Sequence, residues 1–204
     1  IGKPVLSNLF KSRPNDIFVS ELSSHQLYKI KTSPKVAVLL NVCPAHLDYY
    51  KSFGEYKTAK INIVKYQKKE DFLVYNFEDK IVREIAKKSK AKKIPFREKE
   101  AIDFFKNRAL SVKRKLNFSN VAAAIAVAKL FKISPENIDK GIKDFKPLPH
   151  RLELVGTYRG IAFYDDSAAT VPEATCHALE VLGNSVQTII LGGYAVSYTH
   201  LTLP

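Results

Sequence analysis

Two runs of uninterrupted apolar residues, VAVLL at 36–40 and FLVY at 72–75, constrain this chain most. A strand with one wet face alternates apolar and polar side chains. A run that is apolar at every position belongs in a sheet covered on both faces, which means parallel strands joined by helices. The stretch between the two runs, SFGEYKTAKINIVKYQ, supplies such a helix: Ser52 is the N-cap and Glu55, three residues on, completes a capping box. Tyr56, Ala59, Ile63 and Tyr66 form its apolar stripe.

The same alternation continues on both sides. IFVS at 17–20 reads as a short strand ending on Glu21, EDKIVREIAKKS as a helix and KKIPF as a further strand. Residues 97–116 fit no single period and are compatible with short antiparallel strands. NFSNVAAAIAVAKLF predicts an alanine-rich helix starting at Asn117 or Ser119. SPENIDKGIKDF predicts another, with Pro135 in its first turn. Residues 1–147 therefore predict an α/β domain with a mainly parallel sheet. Two prolines in KPLPH, at 146–150, then break the pattern as a linker. Beyond it LELVG, IAFYDD, a helix at 172–182 and a strand TIIL predict the beginning of a second α/β unit over 148–195, too small to close a core alone.

The ends carry their own expectation. The chain has no methionine, opens on IGKP and closes on VSYTHLTLP, which fits neither period and looks like a translated library adapter. A fragment with a foreign tail over 196–204 is expected. The formal net charge is +13, from 33 Lys and Arg against 20 Asp and Glu. Nucleic-acid binding is one source of such an excess. Here the lysines are scattered without interleaved aromatics, which fits solvated faces and an anionic substrate better. Cys43 and Cys176 lack metal-ligand spacing and read as reduced thiols of a cytoplasmic protein. No apolar run reaches the roughly 20 residues that span a bilayer, so no membrane insertion is expected.

In open parallel sheets ligands bind beyond the carboxyl ends of the strands. Glu21, Asn41, His46, Asp48, Asp165 and Asp166 all fall at such ends. Each has an ordinary explanation when taken singly. A Glu after a strand caps or faces solvent, a His-x-Asp pair hydrogen-bonds internally, Lys60 on a helix is solvated, and Gly192-Gly193 makes a generic turn.

Their order is more specific. ELSSHQL (from Glu21), NVCPAHLDYYKSFGEYKTAK (from Asn41), NFSNVAAA (from Asn117), LPHRLE (from Leu148) and DDSAATVPEAT (from Asp165) occur in sequence, and together they resemble the Mur ligase family. ELSS followed by QL, LPHRLE and DSxAT favour its D-glutamate-adding branch. The resemblance implies a central ATPase-type domain followed by the start of a Rossmann-like C-terminal domain. It implies ATP- and Mg2+-dependent joining of D-glutamate to UDP-N-acetylmuramoyl-L-alanine through an acyl phosphate, by a cytoplasmic monomer serving cell-wall synthesis. Glu21 matches a magnesium ligand, His46 a residue at a second magnesium, and Lys60 the lysine the family carbamylates. Ser23 matches a contact to the muramoyl substrate, Asn120 an ATP contact, Arg151 an arginine near the phosphates, Asp166 a nucleotide-binding aspartate and Thr170 a holder of D-glutamate. His150 marks the hinge.

The departures bear on activity. The family's glycine-rich P-loop and its uridine-binding domain would lie before Ile1. Leu116 stands where many relatives carry histidine, and Ala168 replaces the common lysine of DSKAT. The polypeptide is therefore expected to be inactive, with weak or undetectable ATP binding. A folylpolyglutamate-synthase-like ligase and a non-catalytic basic binding module are the alternatives.

Overall fold

The computed structural model describes residues 11–46, 48–106 and 117–192. Its centre is a parallel sheet of three strands, β1 (Val36–Leu39), β2 (Phe72–Asn76) and β3 (Lys92–Phe96), in the order β1-β2-β3. Val38 lies opposite Val74, and Val74 opposite Ile94. A short helix, α1 (Ser24–Leu27), precedes the sheet. Helix α2 (Phe53–Lys65) crosses from β1 to β2, and α3 (Lys80–Lys88) from β2 to β3. Helices α4 (Glu98–Lys106), α5 (Phe118–Leu130) and α6 (Pro135–Asp144) follow.

The uninterrupted apolar run of β2 is explained by what covers each face. Leu73 and Tyr75 point into a core with Ala37, Leu39, Tyr56, Ala59, Val64, Val82 and Ile85, supplied by α2 and α3. Val74 points the other way, into Phe96, Ala101, Phe105, Ala122 and Ile125, supplied by α4 and α5. Successive side chains of a strand alternate faces, so a strand with helices on both sides needs no polar position. Continuous apolar sequence and the three-layer arrangement are one fact.

Polar groups lock the loops to this frame. Asn62, buried on α2, donates from Nδ2 to the carbonyls of Leu27 at 2.9 Å and Tyr28 at 3.3 Å. Gln67 donates to the carbonyls of Pro34 and Phe72. Asp79 caps α3 by accepting the Val82 N–H at 2.8 Å, and its other oxygen accepts the Val42 N–H at 3.3 Å. It therefore holds the loop after β1 as well as a helix end. Asp79→Ala is expected to cost about 1–2 kcal/mol. A fall in the urea midpoint at unchanged slope is the check, and an unmoved midpoint refutes the double role.

Several sequence expectations are corrected. Residues 17–20 form no strand. Ile17, Phe18 and Val19 are exposed, Val19 by 94%, and the described sheet gives them no ladder, without which apolar β-formers do not make a strand. Residues 186–192, including TIIL, likewise form no strand. In the ambiguous stretch, residues 98–106 are helical because Ala101 and Phe105, four apart, pack on α5; the remainder, 107–116, lies outside the described residues. On α2 the buried side is Tyr56, Ala59, Asn62 and Val64, with Tyr66 exposed. Ser52 does cap α2 by accepting the Glu55 N–H. Glu55, however, turns to the Lys51 N–H at 2.8 Å and the Tyr28 hydroxyl at 2.7 Å rather than closing a box. The reciprocal box is at α1, between Ser23 and Gln26.

After α6, residues 145–152 lead into an antiparallel hairpin, β4 (Glu153–Tyr158) and β5 (Ile161–Asp165). Arg159 and Gly160 both adopt positive φ, 50° and 80°. That is the two-residue turn whose twist matches a hairpin. Helix α7 (Pro172–Leu182) follows with Pro172 in its first turn. The second unit is thus an antiparallel hairpin and a helix, none of whose residues is buried.

Candidate functional site

The loop leaving β1 holds His46, one of the expected site residues. His46 sits in it with φ 54°, and its carbonyl accepts the N–H groups of Tyr49 and Tyr50. This tight turn brings the loop back to start α2 at Phe53. The His46 ring lies 5.0 Å from that of His25 and 6.4 Å from that of Tyr56. Lys60, one turn beyond Tyr56 on α2, holds its Nζ 5.5 Å from the Tyr56 ring centroid. Tyr56 thus neighbours both His46 and Lys60. Its hydroxyl is pushed up to about 12, first by burial and then by Cys43 and Tyr50.

Lys60 is half-buried, and that burial pulls its pKa below the ordinary lysine value; Cys43 and Glu21 act in the opposite direction. Cys43 is raised by burial and by Glu173 of α7, while Lys60 lowers it. His46 and Lys60 thus meet at Tyr56, while the charges of Glu21 and of Glu173 on α7 act on Lys60 and Cys43 respectively. A desolvated lysine is neutral more often than a solvated one and is correspondingly nucleophilic.

Ser23, the N-cap of α1, is two residues from Glu21, and Asn62 ties α1 to the helix that carries Lys60. The remaining expected residues are Asn120, Arg151, Asp166 and Thr170. Asn120 is exposed in the first turn of α5, where its N–H donates to Asn117 Oδ1 at 3.0 Å. Asn117 Nδ2 lies 3.3 Å from His177 Nε2 of α7, so the two units touch beside Asn120. Arg151 is exposed between His150 and Leu152, both in left-handed backbone, and Asp166 accepts the Leu152 N–H at 2.9 Å. Thr170 is exposed just before α7.

Sequence reasoning missed two arrangements. One is the ring cluster of His25, Tyr49, Tyr50 and Tyr56, whose signal was the aromatic density of SSHQLY and HLDYY. The other is His150, Glu153 and Asp165, a group among the described residues whose ligand-type atoms lie within 4.8 Å of one another. Among the described residues no helix is long and apolar enough to cross a membrane.

Comparison with known proteins bears on the family. Residues 1–134 match the Mur ligase middle domain. The chain is 40% identical over 209 aligned residues to the UDP-N-acetylmuramoylalanine--D-glutamate ligase of Streptococcus mutans, covering 95% of this chain and 46% of that protein. The ligases of that name from Streptococcus agalactiae and Caldanaerobacter subterraneus are 38% and 33% identical, covering 46% and 47% of those proteins. The chain thus spans a little under half the length of these relatives. Among solved structures, MurF from Acinetobacter baumannii superposes with a TM-score of 0.58 at 17% identity, over 78% of this chain and 39% of that one, a likeness of fold. With the parallel sheet covered by helices on both faces and the match over residues 1–134, the chain belongs to the Mur ligase family.

Proposed function

We propose that this chain is part of an ATP-dependent ligase that joins D-glutamate to UDP-N-acetylmuramoyl-L-alanine. The meeting of His46 and a half-buried Lys60 at one ring, Tyr56, with the Glu21 charge acting on Lys60, carries this reading. The names of the relatives supply the choice of amino acid. On this reading residues 1–147 are the ATP-binding domain and 148–195 begin the C-terminal domain. The enzyme works in the cytoplasm as a monomer, in precursor synthesis that serves wall growth and division.

The substrate carboxylate takes the γ-phosphoryl group of ATP, the D-glutamate amine attacks the resulting acyl phosphate, and phosphate leaves. A neutral Lys60 amine adds carbon dioxide, forming an N–C bond and releasing one proton, so that an ammonium becomes an anionic oxygen donor. Glu21 and carbamylated Lys60 would then offer the hard oxygens that Mg2+ prefers, with His46 beside them. Bound there, Mg2+ would offset the negative charge of phosphates and carboxylate. Ser23 contacts the muramoyl substrate, Asn120 and Asp166 hold the nucleotide, Arg151 neutralises the transferring phosphoryl group and Thr170 orients D-glutamate.

The test is a chimera in which residues 11–192 replace the matching half of the Streptococcus mutans ligase. Phosphate release is measured with D-glutamate, L-alanine or diaminopimelate offered separately. D-glutamate is expected to be the preferred amine. Preference for another amino acid overturns the specificity, and a folate-dependent release would favour a folylpolyglutamate-synthase-like enzyme.

A further inference from the structure

Arg151 lies between two residues in an unfavourable backbone conformation, and the bonds that hold them there all come from the hairpin and the turn after it. His150 has φ 62° and Leu152 φ 46°. Non-glycine residues persist in the left-handed region only where surrounding bonds over-determine them. Here His150 Nδ1 lies 2.7 Å from Asp165 Oδ2, and the His150 N–H donates to Glu153 Oε2 at 2.8 Å. The His150 carbonyl accepts the Ala168 N–H at 3.1 Å, and the Leu152 N–H donates to Asp166 Oδ1 at 2.9 Å. Asp165 spends its other oxygen on the Ser167 N–H at 2.8 Å. Every partner belongs to β4, β5 or the turn after it. Residues 146–149, just upstream, are exposed throughout and include two prolines, which donate no backbone bond.

We infer that His150 and Asp165 form a clasp that fastens the end of the linker to the second unit and fixes the position of Arg151, leaving residues 146–149 as the pivot. This rests on the reading of Arg151 as a phosphate contact. His150 is then a positioning residue. It belongs to the second unit rather than to the hinge, and Arg151 travels with Asp166 when the two units move. An arginine carried on a loose linker would lose its orientation each time the cleft opened. The clasp keeps it beside the aspartate with which it would share a nucleotide.

Charge makes the clasp pH-dependent. The charged groups facing His150 are Asp165 and Glu153; the one facing Asp165 is His150, beside the neutral donors of Ser167. The hydrogen bond to Asp165 raises the imidazole pKa above 6.5, and the same bond lowers the Asp165 carboxyl to about 2. The charged clasp is complete between those limits. It weakens as pH rises through the raised histidine value, because a neutral ring keeps the bond without its charge, and as pH falls through the depressed aspartate value.

The experiment is amide exchange by NMR on the 204-residue chain, read at Leu152 and Ala168 across pH and corrected for intrinsic rates, with relaxation of the Arg151 side-chain Nε–H. In Asp165→Asn the asparagine oxygen can still accept the Ser167 N–H, so the hairpin is kept. That variant is expected to return the imidazole to an ordinary titration and to speed Ala168 exchange roughly three- to tenfold near pH 6, the scale of one exposed charge-assisted bond. The pH dependence of the protection disappears and Arg151 becomes more mobile. His150→Phe, which removes the other partner, is expected to give the same faster Ala168 exchange, the same loss of pH dependence and the same Arg151 mobility. Unchanged Ala168 exchange in both variants overturns the clasp. Faster exchange with unaltered Arg151 mobility overturns its positioning role. Neither readout uses nucleotide, so either failure is distinguishable from failure of the ligase reading.

Discussion

Lys60→Met in the chimeric ligase is expected to lower turnover by about 10²–10³-fold, the usual cost of removing one preorganised charge-stabilising group from an active site. Methionine keeps the length and apolar stem of lysine, so the packing of α2 changes little. The change removes the amine that burial has made available, and with it any carbamate. The half-burial of Lys60 matters here: a solvated lysine would stay protonated near neutral pH, while desolvation shifts the balance toward the amine that captures carbon dioxide. Turnover is also expected to fall when dissolved carbon dioxide is stripped from the wild type and not from the variant. With ¹³C-bicarbonate, a carbamate carbon signal should appear in the wild type alone. A variant retaining more than a tenth of the rate would remove Lys60 from the proposed chemistry.

The second large effect concerns the core. Phe96 is 0% exposed at the end of β3 and packs with Val74, Ala101, Phe105 and Val121. Phe105 in turn meets the Phe118 ring edge-on at 5.9 Å. Phe96→Ala removes the largest side chain joining the sheet to α4 and α5. The expected cost is about 3–5 kcal/mol, transfer and cavity terms together. Domains of this size are stable by only about 5–15 kcal/mol, so a large share of the stability is lost. Urea unfolding followed by circular dichroism is the check, and a loss below about 1 kcal/mol would mean that the layer collapses around the gap. The backbone at Phe96 also receives the Phe77 N–H at 2.9 Å, a bond the substitution leaves in place.

How much of this was legible in the sequence depended on whether a residue's partner was local. VAVLL and FLVY announced a doubly covered parallel sheet, and the cap Ser52 and Asn117, one of two starts the sequence offered, stand where their helices begin. IFVS failed because a strand is defined by its neighbour, and no described strand lies beside it. TIIL failed for the same reason. Residues 98–106 were ambiguous because Ala101 and Phe105 make sense only against α5, which comes later in the chain. At the site, ordered motifs named Glu21, His46 and Lys60, but the ring that joins two of them, Tyr56, read as ordinary core. His150 was legible as a linker residue. Its attachment to Asp165 was not, since a pair fifteen residues apart across a hairpin leaves no periodic signal.

The absence of any buried residue in the hairpin and α7 bears on cooperativity. Opening that unit exposes little additional apolar surface, so its main opposition is a ladder of backbone bonds and the linker contacts. Such a segment opens in a sub-global step well below the free energy of the sheet. The polypeptide is then not a two-state system, and no single unfolding free energy describes it. The figure given for Phe96 belongs to the body built on β1, β2 and β3 alone. The same independence lets the smaller unit tilt on residues 146–149 while the larger one keeps its shape.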